Sequence, residues 1–274
     1  LLNFESLHQR LDLLPQQLRP HGVNLSLASE NEPSASILKL LKEECEKTNA
    51  PYLAEHIGYL NTNPNGPSFG YLIAPPLNYE TISNIVRNIQ ILHDFVGVPI
   101  ALENCVVYSR HPESTMTWLE FITTLDQELP DNIGWLIDYA HLKVTNQNLK
   151  EGNFIEWLNV YALSKRPIFE VHFANVKFDS QGVCHDDHHE PFSDGFIRQT
   201  WSDFCDLGIE PFNLTIEREL HSEKDIKLLL RDIKAVKNIF LETVGAVNIL
   251  PFDDKTPAPE VCLQAPISSG TFLA

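Results

Sequence analysis

Short apolar runs alternate with longer stretches of helical period along most of the chain. Runs suited to buried strands lie at 21–27 (HGVNLSL), 52–58 (YLAEHIG), 98–104 (VPIALEN), 134–138 (GWLID), 168–173 (IFEVHF) and 212–217 (FNLTIE). Helical stretches lie between and after them, at 34–48, 79–95, 117–128, 151–163, 194–206 and 223–238. In the second of these, Ile82, Ile85, Val86, Ile89 and Leu92 recur at the spacing that places them on one face of a helix. Strand then helix, repeated six times, predicts an α/β fold with a parallel sheet and right-handed crossovers, doubly wound or closed into a barrel. No glycine-rich turn of the dinucleotide or P-loop kind follows any run, which favours the barrel, a TIM-type (β/α)8 fold. A single domain over 1–245 followed by a C-terminal tail over 246–274 is the expected organisation.

Composition narrows the partners. The 274 residues carry 37 acidic and 20 basic side chains, a formal charge of −17. Such a chain repels nucleic-acid backbones and anionic membranes, so neither is expected as a partner, whereas cations are favoured. Cys45, Cys105, Cys184, Cys205 and Cys262 are odd in number and well separated, as expected for reduced thiols of a cytoplasmic protein. The chain opens on Leu1 without an initiator methionine, which suggests a processed or truncated form.

Candidate chemistry sits at the strand ends. His21 borders the first run, His56 lies near the end of the second, and Glu103, Asp138, His172 and Glu217 fall at the ends of the next four. In a parallel barrel the carboxyl ends of all strands meet on one rim, so these side chains become neighbours. Between the fifth and sixth runs lies HDDHHE, residues 185–190. Read alone it is a solvated polar loop, but it emerges on the same rim. Asp186 and His188, two apart, point the same way if the segment is extended. His141, three residues after Asp138, faces the site if the strand turns into a loop there. Each residue singly has an ordinary role open to it, as a helix cap or a satisfied polar group. Together they would crowd carboxylates in a low-dielectric rim with almost no Lys or Arg to neutralise them, and bound cations reverse that cost. Imidazole and carboxylate donors without thiolate point to iron, zinc or manganese, and nine donors suit two or three ions.

The succession HGVNLSL, AEHIGY, APPLNYETI, PIALENCVVY, TMTWLEFITTL, WLIDYAH, FEVHFAN, DDHHEPFSDG and TIERE, from His21 to Glu219, resembles the multinuclear non-haem iron-dependent oxidases, a family with members in methanobactin biosynthesis and a xylose-isomerase-like barrel. The resemblance implies metal ligands at His56, Glu103, Asp138, His172, Asp186, His188 and Glu217, with His21 as a further candidate. It implies two or three ferrous and ferric ions, dioxygen as co-substrate, a cysteine or another residue of a ribosomally made precursor peptide as substrate, and a peptide-presenting partner protein as a further candidate partner. Glu103, Asp138 and Glu217 are the carboxylates expected to act in catalysis, Glu103 or Glu217 as bridges. Asn104, Tyr108, Asn175 and Arg218 adjoin the ligands. Two features depart from the pattern. Many members read Asp-x-Asn-Asn where this chain has Asp138-Tyr139-Ala140-His141, and the family's barrel has two strands before HGV where only twenty residues stand here. Those strands are expected to be missing or replaced.

The same residues are also similar, in order, to the trinuclear-zinc endonucleases that cut at abasic sites, with His21, His56, Glu103, Asp138 with His141, His172, Asp186 with His188, and Glu217. That alternative makes His141 a natural ligand and zinc the metal, with hydrolysis in place of oxidation. The net charge and the lack of a basic, aromatic-interleaved segment stand against it. A metal-dependent sugar isomerase or epimerase on the same barrel and a non-catalytic metal-binding protein complete the alternatives.

Overall fold

Every one of the six apolar runs contributes a strand to a single parallel sheet. The computed structural model describes residues 19–61, 69, 71–209, 213–219, 221–244 and 261–263. The first half runs β1 (His21–Gly22), α1 (Ala35–Thr48), β2 (Leu53–His56), α2 (Tyr79–Val96), β3 (Ile100–Glu103), α3 (Trp118–Glu128) and β4 (Ile133–Asp138). The second half runs α4 (Tyr139–Leu149), α5 (Phe154–Leu163), β5 (Ile168–Phe173), β6 (Asn175–Phe178), β7 (Cys184–Asp187), α6 (Asp194–Leu207), β8 (Asn213–Ile216), α7 (Glu223–Val244) and β9 (Val261–Leu263). The sheet has the order β1-β2-β3-β4-β5-β8-β9, and β6 and β7 form a separate antiparallel pair. Among the described residues no helix is long and apolar enough to cross a membrane.

The sheet curls into a barrel wall. Tyr52, at the foot of β2, donates its hydroxyl to Glu170 Oε2 on β5 at 2.7 Å. In a flat sheet three strand spacings would hold these strands about 14 Å apart. Higher up, the rings of His21 on β1 and His172 on β5 lie 5.3 Å apart across four spacings. This is the wall of a (β/α)8-type barrel.

Strand alternation then sorts the side chains. Leu53, Ile100, Leu102, Ile133, Trp135, Ile137 and Val171 join the helices in the main core outside the barrel. Ala54, Ala101 and Leu136 pack with Tyr52 and Phe169 as a small apolar floor inside. Above the floor, toward the carboxyl ends, the inward positions pass to His56, Glu103, Asp138 and His172, all buried. Gly134 makes room for the floor: a Cβ there would run into the Pro167 carbonyl oxygen and lie 2.6 Å from the Phe169 ring. The β4–β5 register slips between Trp135 and Leu136 at that point.

Polar side chains fix the helix starts. Asn78 accepts from Thr81 N at the head of α2, and Thr117 and Glu120 form a reciprocal capping box at α3. Such caps contribute about 1 kcal/mol each.

Four sequence expectations need correction. The run 21–27 yields only the two-residue β1, because the following loop satisfies its backbone through side chains. Ser26 Oγ accepts from the backbone N–H of Leu60 and Asn61, and Asn88 donates to the carbonyls of Leu27, Ser29 and Asn31. The stretch after Asp138 is helix α4, not loop; Tyr139, Ala140, Leu142, Val144 and Thr145 are all buried, so no amphipathic period marks it. The helix expected from 151 begins at Phe154, capped by Asn153. The segment between the fifth and sixth runs is a β-hairpin, β6–β7, as far as Asp187. Residues 1–18 and most of the expected tail lie outside the described residues, although β9 falls within 246–274 and pairs with β8.

Candidate metal centre

Glu103 ends β3 with its carboxylate fully buried, and four imidazoles surround it. His21 Nε2 lies 2.6 Å and His56 Nε2 3.1 Å from Oε2. His141 Nδ1 and His172 Nδ1 lie 3.5 and 3.6 Å from Oε1. From this hub the contacts spread round the rim. His172 Nδ1 is 2.8 Å from Glu217 Oε1 and 3.9 Å from Asp138 Oδ2. His141 Nε2 is 3.4 Å from Asp186 Oδ2 and 3.8 Å from Asp138 Oδ2. His188 Nε2 closes the ring, 2.7 Å from Asp186 Oδ2 and 3.6 Å from Glu217 Oε2. The fold therefore brings all nine candidate residues into one cluster. Glu103 belongs to three separate groups whose donor atoms are close enough to share an ion: with His21 and His172, with His56 and His141, and with Asp138, His172 and Glu217.

Local structure aims these groups. Asp138 is the N-cap of α4: its Oδ1 accepts from His141 N at 2.7 Å, which leaves Oδ2 facing inward. That helical turn, rather than a loop, swings His141 back over the rim. Asn104 locks the strand end by donating to Asp138 O and accepting from Asp138 N. Its own carbonyl faces His141 Nδ1 at 2.9 Å. A carbonyl only accepts, so Nδ1 carries the proton and Nε2 offers its lone pair to the centre. By the same logic the Gly22 carbonyl, 3.2 Å from His56 Nδ1, frees His56 Nε2.

Several buried donor atoms have no hydrogen-bond partner: Glu103 Oε1, Asp138 Oδ2, Asp186 Oδ1 and both ring nitrogens of His172. Leaving such groups unsatisfied costs about 1–3 kcal/mol each, more when charged. Their convergence fits a cation as the missing partner. The donor set, five imidazoles and four carboxylates, is of the kind that holds iron, zinc or manganese.

The electrostatics follow from burial and crowding. Burial pushes Glu103 up, but His56, His21 and His172 outweigh it and hold the carboxyl well below its usual range. Asp138 goes the other way: burial, reinforced by Glu217, Asp186 and Glu103, lifts it to about 7 against the pull of His141. Glu217 is held down to about 2, mainly by His172 against its burial. His188 overcomes its burial through Asp186 and rises to about 9. Without metal, protons on the imidazoles are the counter-charge that a cation would replace.

Two further residues matter. Glu170, absent from the candidates read in the sequence, lies two positions before His172 on the same face of β5, with Oε1 3.3 Å from His172 Nε2. The E-x-H spacing in a strand was the available signal. His189, by contrast, turns away from the centre and is 55% exposed. Of the adjoining residues, Asn175 braces Pro191 and Arg218 is buried against Asp232, both structural. Tyr108 instead lines a cavity of about 300 Å³ with Tyr71, Leu72 and Val106, and His56, His141 and Asp186 form its inner wall.

Comparison with known proteins agrees with this picture. In fold, the chain is similar to an L-ribulose 3-epimerase, with a TM-score of 0.55 at 12% identity over 90% of this chain and 84% of that one. It is also similar to the 3-keto-D-glucoside 4-epimerase YcjR from E. coli, with a TM-score of 0.52 at 13% identity over 86% and 84%. At that identity the likeness shows the TIM-barrel fold alone. In sequence, it is 28% identical over 180 residues to a UPF0276 protein of Streptomyces avermitilis, covering 63% of this chain and 35% of that protein. It is 30% identical over 132 residues to a UPF0276 protein of Haemophilus influenzae, covering 48% and 42%. The chain thus spans well under two thirds of the length of these relatives. Residues 5–240 match the family of RiPP precursor modification enzymes MbnB/TglH/ChrH, and the chain belongs to that family.

Proposed function

We propose that this protein is an iron-dependent oxidase that uses dioxygen to modify a cysteine of a ribosomally made precursor peptide. The observation that carries the proposal is the gathering of five imidazoles and four carboxylates in one cluster, four of the imidazoles around Glu103, with buried donor atoms left unpartnered. His21, His56, Glu103, Asp138, His141, His172, Asp186, His188 and Glu217 would hold two or three iron ions. Bound iron supplies the one-electron and dioxygen chemistry that amino-acid side chains lack. The chain's own part is to fix the donors, exclude water and admit the substrate. The cavity beside His56, His141 and Asp186 suits one or two side chains of a peptide, and Tyr71 and Tyr108 at its mouth offer stacking surfaces.

One observation favours a second reading, hydrolysis by a zinc centre: His141 stands where many of the oxidases have asparagine, and α4 turns it into the cluster. Metal analysis of anaerobically purified protein separates the two. The oxidase predicts iron, with a spin-resonance or absorption signal that changes when a cysteine-containing peptide is added. Stoichiometric zinc, with cleavage of abasic DNA in the absence of oxygen, would overturn it, since zinc is redox-silent.

A further inference from the structure

A second group of metal-ligand side chains lies outside the centre. His221 Nε2 is 2.8 Å from Glu219 Oε2, and His189 Nε2 approaches the same oxygen to 3.8 Å. The three donor atoms all lie within 4.8 Å of one another, and the centres of the two rings stand 6.2 Å apart. We propose that His189, Glu219 and His221 form a separate surface site for one divalent transition-metal ion, with water completing its coordination. This inference does not depend on which metal the inner centre holds or on the reaction there.

The spacing is right for a tetrahedral ion. With bonds of about 2.0–2.1 Å, the donors of such an ion lie about 3.3–3.4 Å apart. The observed spacings bracket that value, and the side chains are free to adjust: His189, Glu219 and His221 are 55%, 37% and 70% exposed. The 3.8 Å separation of His189 from Glu219 is too long for a hydrogen bond, so this imidazole is near the carboxylate without being satisfied by it.

The backbone beneath is already fixed. Glu219 N donates to His188 O at 3.2 Å. The guanidinium of Arg218 donates to the carbonyls of His189 at 2.5 Å and Glu190 at 3.0 Å. Arg218 is itself buried in an ion pair with Asp232. His221 N donates to Asp225 Oδ2 at 3.0 Å at the start of α7. These bonds anchor the backbone at His189, Glu219 and His221, so the main cost of binding is side-chain freedom. The net charge of −17 further favours cations at the surface. An ion here would clamp the segment that carries His188 against the one that carries Glu217.

Zinc is the probe, titrated calorimetrically into protein that retains its inner metal, with the inner metal counted in the same samples by elemental analysis. Wild type is expected to bind one zinc beyond the inner complement. His221→Ala and Glu219→Gln are expected to weaken that event at least about tenfold, as loss of one of three ligands should. His111→Ala, which removes an exposed histidine elsewhere, is expected to leave it unchanged. If His221→Ala titrates like wild type, or if His111→Ala weakens binding equally, there is no site. If either site variant loses inner metal in proportion, the group is part of the centre and the inference of a separate site fails.

Discussion

Glu170 offers the sharpest test of how the centre is built. It is buried on β5, accepts from Tyr52 OH at 2.7 Å and from the Thr215 hydroxyl, and faces His172 Nε2 at 3.3 Å. Burial would raise its pKa, but His172, Thr215 and Tyr52 together lower it, so the group is a carboxylate. His172 Nε2 stands beside Glu170 and Nδ1 beside Glu103, Asp138 and Glu217, so a proton kept on Nε2 by the carboxylate would leave the Nδ1 lone pair for a metal. Glu170→Gln keeps the shape and removes the charge. For a full imidazolium at 3.3 Å and an effective dielectric of 20, the lost attraction is about 5 kcal/mol, an upper bound. A metal-bound ring carries only part of a unit charge, and an amide oxygen still accepts. The relevant scale is therefore the 10–100-fold loss of metal affinity seen when such outer partners are removed, about 1.4–2.7 kcal/mol.

The assay is chelator competition, with retained metal measured as chelator rises. Glu170→Gln should lose metal at a chelator concentration about 10–100-fold lower than wild type. Tyr52→Phe, which removes one donor but leaves the carboxylate charged, should shift it by less than about tenfold. Wild-type resistance in Glu170→Gln would refute the reasoning, since Glu217 and Glu103 would then suffice to orient His172. An equal loss in Tyr52→Phe would refute it too, pointing to packing rather than charge.

Three other outcomes are expected. Glu103→Gln, at the hub of all three donor groups, should lose more metal than any other single substitution in the centre, measured by elemental analysis. His188→Ala should lose metal from the inner centre and single-turnover oxygen consumption, whereas His189→Ala should keep most of the inner metal and of the oxygen consumption; the reverse order would mean that the DDHHEP segment is set in the wrong register. Arg218→Met removes the buried partner of Asp232 Oδ2 and leaves only the half-exposed Arg231 on Oδ1, and should cost about 1.5–3 kcal/mol in denaturant unfolding of the metal-free protein.

The fold class and the clustering of these side chains were both legible in the sequence; the form of individual elements was less so. Five of the six apolar runs carry an ionisable residue at or near their carboxyl end and His21 opens the first, and barrel topology makes strand ends neighbours, so the sequence alone groups these residues. What the sequence hid follows from how each segment is satisfied. β1 is short because Ser26 and Asn88 supply hydrogen bonds that a ladder would have made. α4 gives no period because it is buried on nearly every side, and its start is marked only by Asp138, a residue read for its chemistry rather than as a cap. The β6–β7 hairpin carries His185, Asp186 and Asp187, residues with little strand preference, and is held by cross-links such as Asn148, which bonds both Cys184 N and Cys184 O. Glu170 is not the last residue of its run, so strand ends alone do not single it out, although the period of two places it beside His172.

More than one ion is supported by charge as well as by donor count. Glu103 and Asp138 are fully buried, and Asp186 and Glu217 are only 13% and 14% exposed. One divalent ion would balance two of these four carboxylates and could use at most about six of the nine donors. The remaining acids would need protons. Asp138, lifted to about 7, could take one; Glu217, held at about 2, could not. Imidazolium partners would have to supply the rest of the balance, and a protonated imidazole is lost as a ligand. A second divalent ion would remove that conflict, because it balances the other two carboxylates and frees imidazoles to bind. Glu103 would be placed to serve both ions, because imidazoles stand at each of its oxygens: His21 and His56 at Oε2, and His172 at Oε1.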